Sequence, residues 1–171
     1  MKYYAGIGSR GTLPTWLTWF TELATHLEAV GFTLRSGGAN GADSAFEMGV
    51  LSCYNKEIYL PWKGFNGSSS PHHEISEAAL EMAAKYHPRW NALKPAGRKF
   101  MARNCYQVLG FNLDTPVEFI VCWTPDGRVT GGTGQALRIA ADLNIPVFNF
   151  GGPTPNHEKQ GLVMLVEDII K

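Results

Sequence analysis

The sequence predicts an α/β protein with a Rossmann-like fold, built on a mostly parallel central sheet of about five strands flanked by helices. Short apolar segments alternate with longer segments of helical periodicity along most of the chain. Several of the apolar segments run into glycine-rich loops, as strands do where they turn into helices. The length of 171 residues suits one compact domain, since domains usually run to about 100–200 residues.

The first half of the chain predicts a β-α-β-α-β unit, the half-unit of a parallel sheet. The first strand is short, apolar and aromatic, and Pro14 opens a helix whose apolar side chains recur near a 3.6-residue period. The predicted elements are, in order, a strand at 3–7, a helix at 14–30, a strand at 32–34, a helix at about 42–52 and a strand at 57–60.

The second half predicts further helices around two more strands. His87 and Pro88 interrupt the helical pattern, and a strongly β-prone segment follows the next helix. The predicted elements are a helix at 72–86, a helix at 97–109, a strand at 117–122, a helix at 133–143, a strand at 146–150 and a helix at 158–170. We find no internal repeat and no linker, so we expect residues 1–171 to form one domain.

The composition argues against several classes of protein. Fifteen Lys and Arg balance fifteen Asp and Glu, so no net charge attracts the chain to nucleic acid or to anionic membranes. No apolar run approaches the ~20 residues of a membrane helix, and the first residues lack a signal-peptide pattern. The number of cysteines is odd and they are widely spaced, which predicts reduced thiols in the core at Cys53, Cys105 and Cys122. We therefore expect a cytoplasmic protein with no membrane partner.

Three glycine-rich segments carry the main functional signal, and each follows a predicted strand and leads towards a helix. They are Gly6-Ile7-Gly8-Ser9-Arg10-Gly11, Ser36-Gly37-Gly38-Ala39-Asn40-Gly41-Ala42-Asp43 and Thr130-Gly131-Gly132-Thr133-Gly134-Gln135. Glycine lets the backbone approach a ligand closely, and the free N–H groups of a helix start favour an anion. Because parallel strands end at one edge of a sheet, these loops should meet in one crevice.

Polar side chains in these loops strengthen the prediction of a phosphate site. The hydroxyls of Ser9 and Thr133 can donate to phosphate, and Arg10 can bind it through two hydrogen bonds. Asp43 can hold a ribose hydroxyl or cap the helix that follows it. The predicted ligand-binding residues from the loops are Gly8, Ser9, Arg10, Ser36, Gly37, Gly38, Asn40, Asp43, Gly131, Gly132, Thr133, Gly134 and Gln135.

The order and content of these segments, from Tyr4 to Gly134, resemble the SLOG superfamily. That superfamily joins the DNA-processing protein A (Smf) family with the LOG phosphoribohydrolases, and the likeness, which covers about residues 2–150, is strongest to small stand-alone DprA-like members. The resemblance implies a Rossmann-like fold, a nucleotide or nucleotide-derived ligand, and a tendency to form homo-oligomers.

The sequence departs from the LOG motif Pro-Gly-Gly-x-Gly-Thr-x-x-Glu at three positions. Thr130 stands at the motif's proline, Gln135 at its threonine and Arg138 at its catalytic glutamate. Hydrolysis of an N-glycosidic bond benefits from a carboxylate, and arginine cannot take that role. Asp43 and Glu47 are the nearest alternative catalytic candidates.

A basic segment over residues 98–104 resembles the arginine-bearing helix that contacts ligand phosphate in LOG-like proteins. Arg103 and Asn104 are the predicted ligand-binding residues within it, although a basic pair such as Lys99 and Arg103 also suits a solvated helix face. Trp62 and Trp123 follow predicted strands, so they are candidates for stacking on a base, with ordinary packing as the alternative.

No metal or other cofactor is predicted. His72 and His73 are adjacent, and neighbours on a helix point about 100° apart, which suits chelation of one ion poorly.

These observations favour a module that senses, carries or sequesters a nucleotide. The first alternative is a nucleotide phosphoribohydrolase or similar N-glycosidase. The second is a DprA-like mediator of recombination that binds single-stranded DNA, for which the loops also suit a phosphate backbone.

Overall fold

The central sheet carries five parallel strands, in the order β3-β2-β1-β4-β5. A computed structural model describes residues 1–171. The strands are β1 (Lys2–Gly8), β2 (Phe32–Ser36), β3 (Lys56–Ile58), β4 (Phe119–Trp123) and β5 (Val147–Asn149). The predicted fold class is confirmed, because every neighbouring pair of strands is parallel and successive strands are joined through helices.

Six α-helices flank the sheet, and four short 3₁₀ turns lie at Cys53–Asn55, Phe65–Gly67, Trp90–Ala92 and Pro125–Gly127. The α-helices are α1 (Pro14–Ala29), α2 (Ala42–Gly49), α3 (Glu77–Tyr86), α4 (Pro95–Leu109), α5 (Gly131–Asp142) and α6 (Pro155–Ile170). None of them is both long and apolar enough to cross a lipid bilayer.

Each face of the sheet has its own hydrophobic core, because successive strand side chains point to opposite faces. Tyr4 of β1 lies in the core shared with α1, α2 and α6, where Phe20 and Phe46 stack with their ring centroids 4.4 Å apart. The next residue, Ala5, lies in the second core, against side chains of α3, α4 and α5. The sheet is therefore covered on both sides, as a parallel sheet requires.

The chain changes direction across the sheet at β1. From β1 it proceeds outward to β2 and β3, and it then returns to place β4 and β5 on the other side of β1. The carboxyl ends of β1 and β4 are consequently neighbours where the strand order reverses, and loops there diverge to opposite faces. Open α/β sheets bind their ligands at this position.

Most predicted elements are present with boundaries shifted by a few residues, and the clearest correction concerns the third helix. It was predicted from residue 72 and begins at Glu77. The Ser76 hydroxyl caps it by accepting from the N–H of Ala79, and the Ser76 N–H donates to the Tyr106 hydroxyl at 2.8 Å. The segment before Ser76 is held in an extended path, since the carbonyl of His72 accepts from the N–H of Leu60.

Aromatic residues of α1 belong to the core. The rings of Trp16 and Trp19 lie 5.0 and 4.6 Å from that of Phe150, and Phe20 is fully buried. Among the cysteines, Cys105 and Cys122 are buried thiols, whereas Cys53 is exposed in a 3₁₀ turn. The prediction of core thiols is therefore wrong for Cys53, whose turn lies at the surface.

Replacing Gly49 with Ala is expected to destabilise the fold. A Cβ at Gly49 would overlap the carbonyl of Thr21 and lie 2.7 Å from the methyl of Ala24, so α1 would have to move away from α2. We expect a loss of about 1–3 kcal/mol in the free energy of unfolding, measured by chemical denaturation. Gly97→Ala is the control, since its Cβ would meet only the Leu93 side chain at 3.5 Å. A Gly49→Ala protein as stable as wild type would contradict this packing.

Candidate functional site

A cavity of about 490 Å³ lies at the carboxyl ends of β1 and β4, where the strand order reverses. Loops from distant parts of the sequence meet there, as the sequence predicts. The predicted ligand-binding residues that line the cavity are Gly8, Ser9, Arg10, Asp43, Arg103, Asn104, Gly131, Gly132 and Thr133. The first and third glycine-rich loops and α4 therefore supply most of its lining residues.

The first loop is held in place by its own hydrogen bonds. The N–H of Ser9 donates to the carbonyl of Trp123 at 3.0 Å, and the Thr12 hydroxyl donates to the Ser9 carbonyl at 2.6 Å. Gly8 passes so close to β4 that a Cβ would lie 2.9 Å from the Trp123 carbonyl oxygen. The loop is thus fixed against the sheet, and it leaves Arg10 exposed at the cavity mouth.

The second loop packs underneath the first. Gly41 has a φ of +86°, and a Cβ there would lie 2.7 Å from the carbonyl oxygen of Ser9, so glycine is required for both shape and space. Ser36 is buried and donates to the Gly6 carbonyl at 2.6 Å, and Asn40 accepts from the amide of Asn66 at 2.9 Å. Ser36, Gly37, Gly38 and Asn40 are absent from the cavity lining.

Asp43 does not cap α2, because Gly41 is the N-cap residue and makes no side-chain cap. The Asp43 carboxylate instead accepts from the N–H of Ala39 at 3.3 Å and lines the cavity. Burial raises its pKa to about 6, against the smaller lowering effects of Arg103 and the N–H groups of Ala39 and Gly8. A carboxyl group that titrates near neutral pH therefore lies within the cavity.

Arg103 is buried, so the interpretation of this segment as a solvated helix face is wrong for this residue. Its guanidinium donates to the carbonyls of Gly37 and Tyr59 and to the side-chain oxygen of Asn104. Burial lowers its pKa to about 10, so the group is still charged at neutral pH. The rings of Phe65 and Phe100 lie 5.8 and 5.5 Å from the guanidinium carbon.

The third loop forms the start of α5. The Asn104 amide donates to the carbonyl of Gly132 at 2.8 Å and so links α4 to this loop. Gly131, Gly132 and Thr133 line the cavity within the first turn of the helix, where backbone N–H groups lack partners inside the helix. No acidic residue lies in this first turn, so the positive end of the helix dipole is free to attract an anion.

Further lining residues come from α4 and were missed in the sequence. Phe100, Met101 and Gln107 lie on the helix face that carries Arg103 and Asn104. Phe100 and Gln107 stand at i−3 and i+4 from Arg103, and Met101 stands at i−3 from Asn104, so these spacings place them on the shared face. The helical period around Arg103 was the signal that would have identified them.

Other predicted residues lie outside the cavity lining. The ring of Trp62 packs 5.1 Å from that of Phe100, on the outside of the cavity wall, and Trp123 packs against the hydrophobic core. Gly134 and Gln135 are buried in α5, where the Gln135 amide donates to the Ala83 carbonyl. Glu47 lines a separate shallow groove beside Lys56.

Arg138, at the position of the LOG catalytic glutamate, joins two helices. Its guanidinium donates to the carbonyl of Tyr86 at 2.9 Å and to the side-chain oxygen of Gln135 at 2.8 Å. It therefore ties α5 to the end of α3 and takes no part in the cavity lining. No three His, Cys, Asp or Glu side chains lie close enough together to hold a metal ion, and His72 and His73 precede α3.

A Rossmann-like sheet with a polar cavity at its strand reversal defines the class of this protein. Its fold is similar to that of DNA processing protein A from Helicobacter pylori, with a TM-score of 0.58 and 18% identity. The similarity covers 86% of this chain and 64% of that one, so the matched region spans less than two thirds of the other protein's chain. The study of that protein concerned its mode of single-stranded DNA binding. No protein-family model and no curated protein matches the chain.

Replacing Asp43 with Asn is expected to change how stability depends on pH. The pKa of Asp43 is about 6 in the folded protein and 3.8 ordinarily, so the folded protein retains a proton that the unfolded chain has released. The stability linked to this proton is complete below about pH 4 and is lost as the pH rises through about 6. Wild type should therefore lose stability relative to Asp43→Asn over this range.

Chemical denaturation at a series of pH values measures this difference. Glu47→Gln is the matched control, because that carboxylate lies one helical turn further along α2, in the separate groove. A difference between wild type and Asp43→Asn that stays constant from about pH 4 to about pH 7 would show that Asp43 does not titrate in this way.

Proposed function

We propose that this chain binds a nucleotide or a nucleotide-derived ligand in the cavity, as a sensor, carrier or sequestering protein. The observation that carries the proposal is the meeting of the first and third glycine-rich loops with α4 around one space. The sequence resemblance to the SLOG superfamily supports the same ligand class.

The start of α5 and the mouth of the cavity suit the phosphate. Free backbone N–H groups of Gly131, Gly132 and Thr133 and the positive end of the helix dipole favour an anion there. Arg10 is exposed and lines the same cavity, so its guanidinium is available for two charge-assisted hydrogen bonds. Arg103, whose hydrogen bonds go to protein groups, adds positive potential from below.

The remaining wall suits a sugar and a base. The cavity volume lies within the ~300–1,000 Å³ of ordinary small-molecule sites. Phe100 and Met101 supply an apolar surface on α4, and Trp62 and Phe65 support Phe100 from outside. A base seated against Phe100 has a rigid aromatic partner.

Single-stranded DNA is a second candidate ligand, and one observation favours it. The structure of similar fold belongs to a protein described by its single-stranded DNA binding mode. The net charge of zero weighs against it, because binding to a phosphate backbone draws its affinity from an excess of Lys and Arg.

Hydrolysis of the bound nucleotide is the alternative that Asp43 favours. Its carboxyl group lines the cavity with a pKa raised to about 6, which suits a general acid or base near neutral pH. Arg138 cannot supply that function, since its guanidinium joins α5 to α3.

A ligand panel distinguishes these functions. Thermal shift and calorimetry are measured at fixed salt with nucleoside monophosphates, NAD, ADP-ribose, its cyclic forms and a short single-stranded oligonucleotide, and products are separated by chromatography. A ligand at 100 times its Kd should stabilise the fold by about 2.7 kcal/mol. We expect a shift with a small nucleotide and no product. Released base would make the protein an enzyme, and a shift with the oligonucleotide alone would overturn the proposal.

Replacing Arg10 with Ala is expected to weaken binding of the nucleotide identified in this panel by about tenfold or more, because one charge-assisted partner of the phosphate is lost. The melting temperature of the free protein should stay unchanged, since Arg10 is exposed. Arg89→Ala is the matched control, because this exposed arginine makes the same change in charge outside the cavity. Equal affinities of the two variants would remove Arg10 from the phosphate site.

A further inference from the structure

Three polar side chains crowd around the backbone of Gly37 in the second loop. A Cβ at this position would lie 2.6 Å from a guanidinium nitrogen of Arg103 and 2.7 Å from a carboxylate oxygen of Asp43, and it would overlap the amide nitrogen of Gln107. All three residues, Asp43, Arg103 and Gln107, line the cavity, and we refer to them as its floor. The Asp43 carboxylate and the Gln107 amide are therefore held close together. The guanidinium of Arg103 lies beside them, where α4 packs against the second loop.

Gln107 has no partner for its side-chain amide. The residue is 3% exposed, and its amide takes part in none of the side-chain hydrogen bonds of the protein. Gln135, the other buried glutamine, uses both ends of its amide. The buried polar side-chain atoms without a hydrogen-bond partner are those of Tyr4 and Arg98, so the Gln107 amide is open to the cavity and available to a ligand.

Asp43 also has capacity to bind a donor. Its hydrogen bond from the N–H of Ala39 is long, at 3.3 Å, and Arg103 makes no ion pair with it within 4.0 Å. The guanidinium of Arg103 is directed instead to the carbonyls of Gly37 and Tyr59 and to Asn104. An ionised carboxylate accepts only, so Asp43 attracts a hydrogen-bond donor.

We propose that Asp43 and Gln107 together bind the vicinal hydroxyls of a ribose, so that the cavity takes ribonucleotides in preference to 2′-deoxyribonucleotides. This inference rests on the proposed nucleotide-binding function and names the class of sugar. One hydroxyl donates to the Asp43 carboxylate, and its neighbour accepts from the Gln107 amide nitrogen or donates to the amide oxygen. A vicinal diol matches this pair because it offers two hydroxyls side by side, each both donor and acceptor.

The position of the floor relative to the phosphate site supports this orientation. Asn104 donates to Gly132 in the third loop, and Gln107 lies three residues further along α4. Three residues of an α-helix rise about 4.5 Å, which is comparable with the span from a 5′-phosphate to the ring hydroxyls of its ribose. A ribose 5′-phosphate group therefore extends along α4 from the start of α5 to the floor.

Loss of one hydroxyl leaves a buried polar group unpaired. A 2′-deoxy ligand would bring apolar carbon to either the Asp43 carboxylate or the Gln107 amide, and it would exclude the water that otherwise reaches these groups through the cavity. Sites built to hydrogen-bond a hydroxyl reject analogues that lack it. We expect discrimination of about 10- to 100-fold in Kd.

Calorimetry with ribose 5-phosphate and 2-deoxyribose 5-phosphate tests the inference without reference to the base. The nucleoside 5′-monophosphates are then compared in their ribo and 2′-deoxy forms. The ribo form should bind at least about tenfold more tightly than its 2′-deoxy counterpart. Equal Kd values would overturn the inference and leave the proposed nucleotide function intact, whereas failure of every phosphosugar and nucleotide to bind would overturn both.

Substitutions of Asp43 and Gln107 test whether these two residues cause the preference for ribose over 2′-deoxyribose. Gln107→Met keeps the length of the side chain and removes its hydrogen bonds, and Asp43→Asn removes the charge. Each should reduce the ratio of deoxy to ribo Kd towards one, while Glu47→Gln, outside the cavity, should keep the wild-type ratio. A ratio that survives both floor substitutions would overturn the assignment, and circular dichroism confirms that each variant is folded. If Gln107→Met does not fold, the ratios of the wild type and Asp43→Asn decide.

Discussion

The buried guanidinium of Arg103 is the group on which the geometry of the cavity depends. It binds the carbonyl of Gly37 in the second loop, the carbonyl of Tyr59 after β3, and the side chain of its neighbour Asn104. Asn104 in turn binds Gly132 in the third loop. One charged side chain therefore links α4 to two loops that begin more than ninety residues apart, and these contacts compensate for removing the charge from water.

The fold could be predicted from the sequence because local and global signals agree. Short apolar strands alternate with helices of clear periodicity. Parallel strands must be joined by crossover connections, and the helices between the strands provide them. The start of α3 could not be placed from periodicity, because apolar spacing continues before Ser76. Its position depends on the Ser76 cap and on the Tyr106 hydroxyl, which is thirty residues away in the sequence.

The site was partly predictable, for a comparable physical reason. Glycine-rich turns and the positive start of a helix are local features, so Ser9, Arg10 and Thr133 could be identified from the sequence. Whether a side chain faces the cavity depends on tertiary contacts. Ser36 was predicted as a ligand-binding residue, but its hydroxyl donates to the Gly6 carbonyl. Gln107 belongs to no sequence motif, yet it lines the cavity.

The crowding at Gly37 limits how a cavity of this kind can diverge in evolution. Any side chain at that position would displace groups on both α2 and α4, so the floor can change only through several simultaneous substitutions. Phe100 and Met101, nearer the start of α4, are only half-buried, so single substitutions there alter the shape of the cavity at little structural cost. For the proposed ribonucleotide ligand, the contact with the base can therefore change by single substitutions more readily than the contact with the sugar.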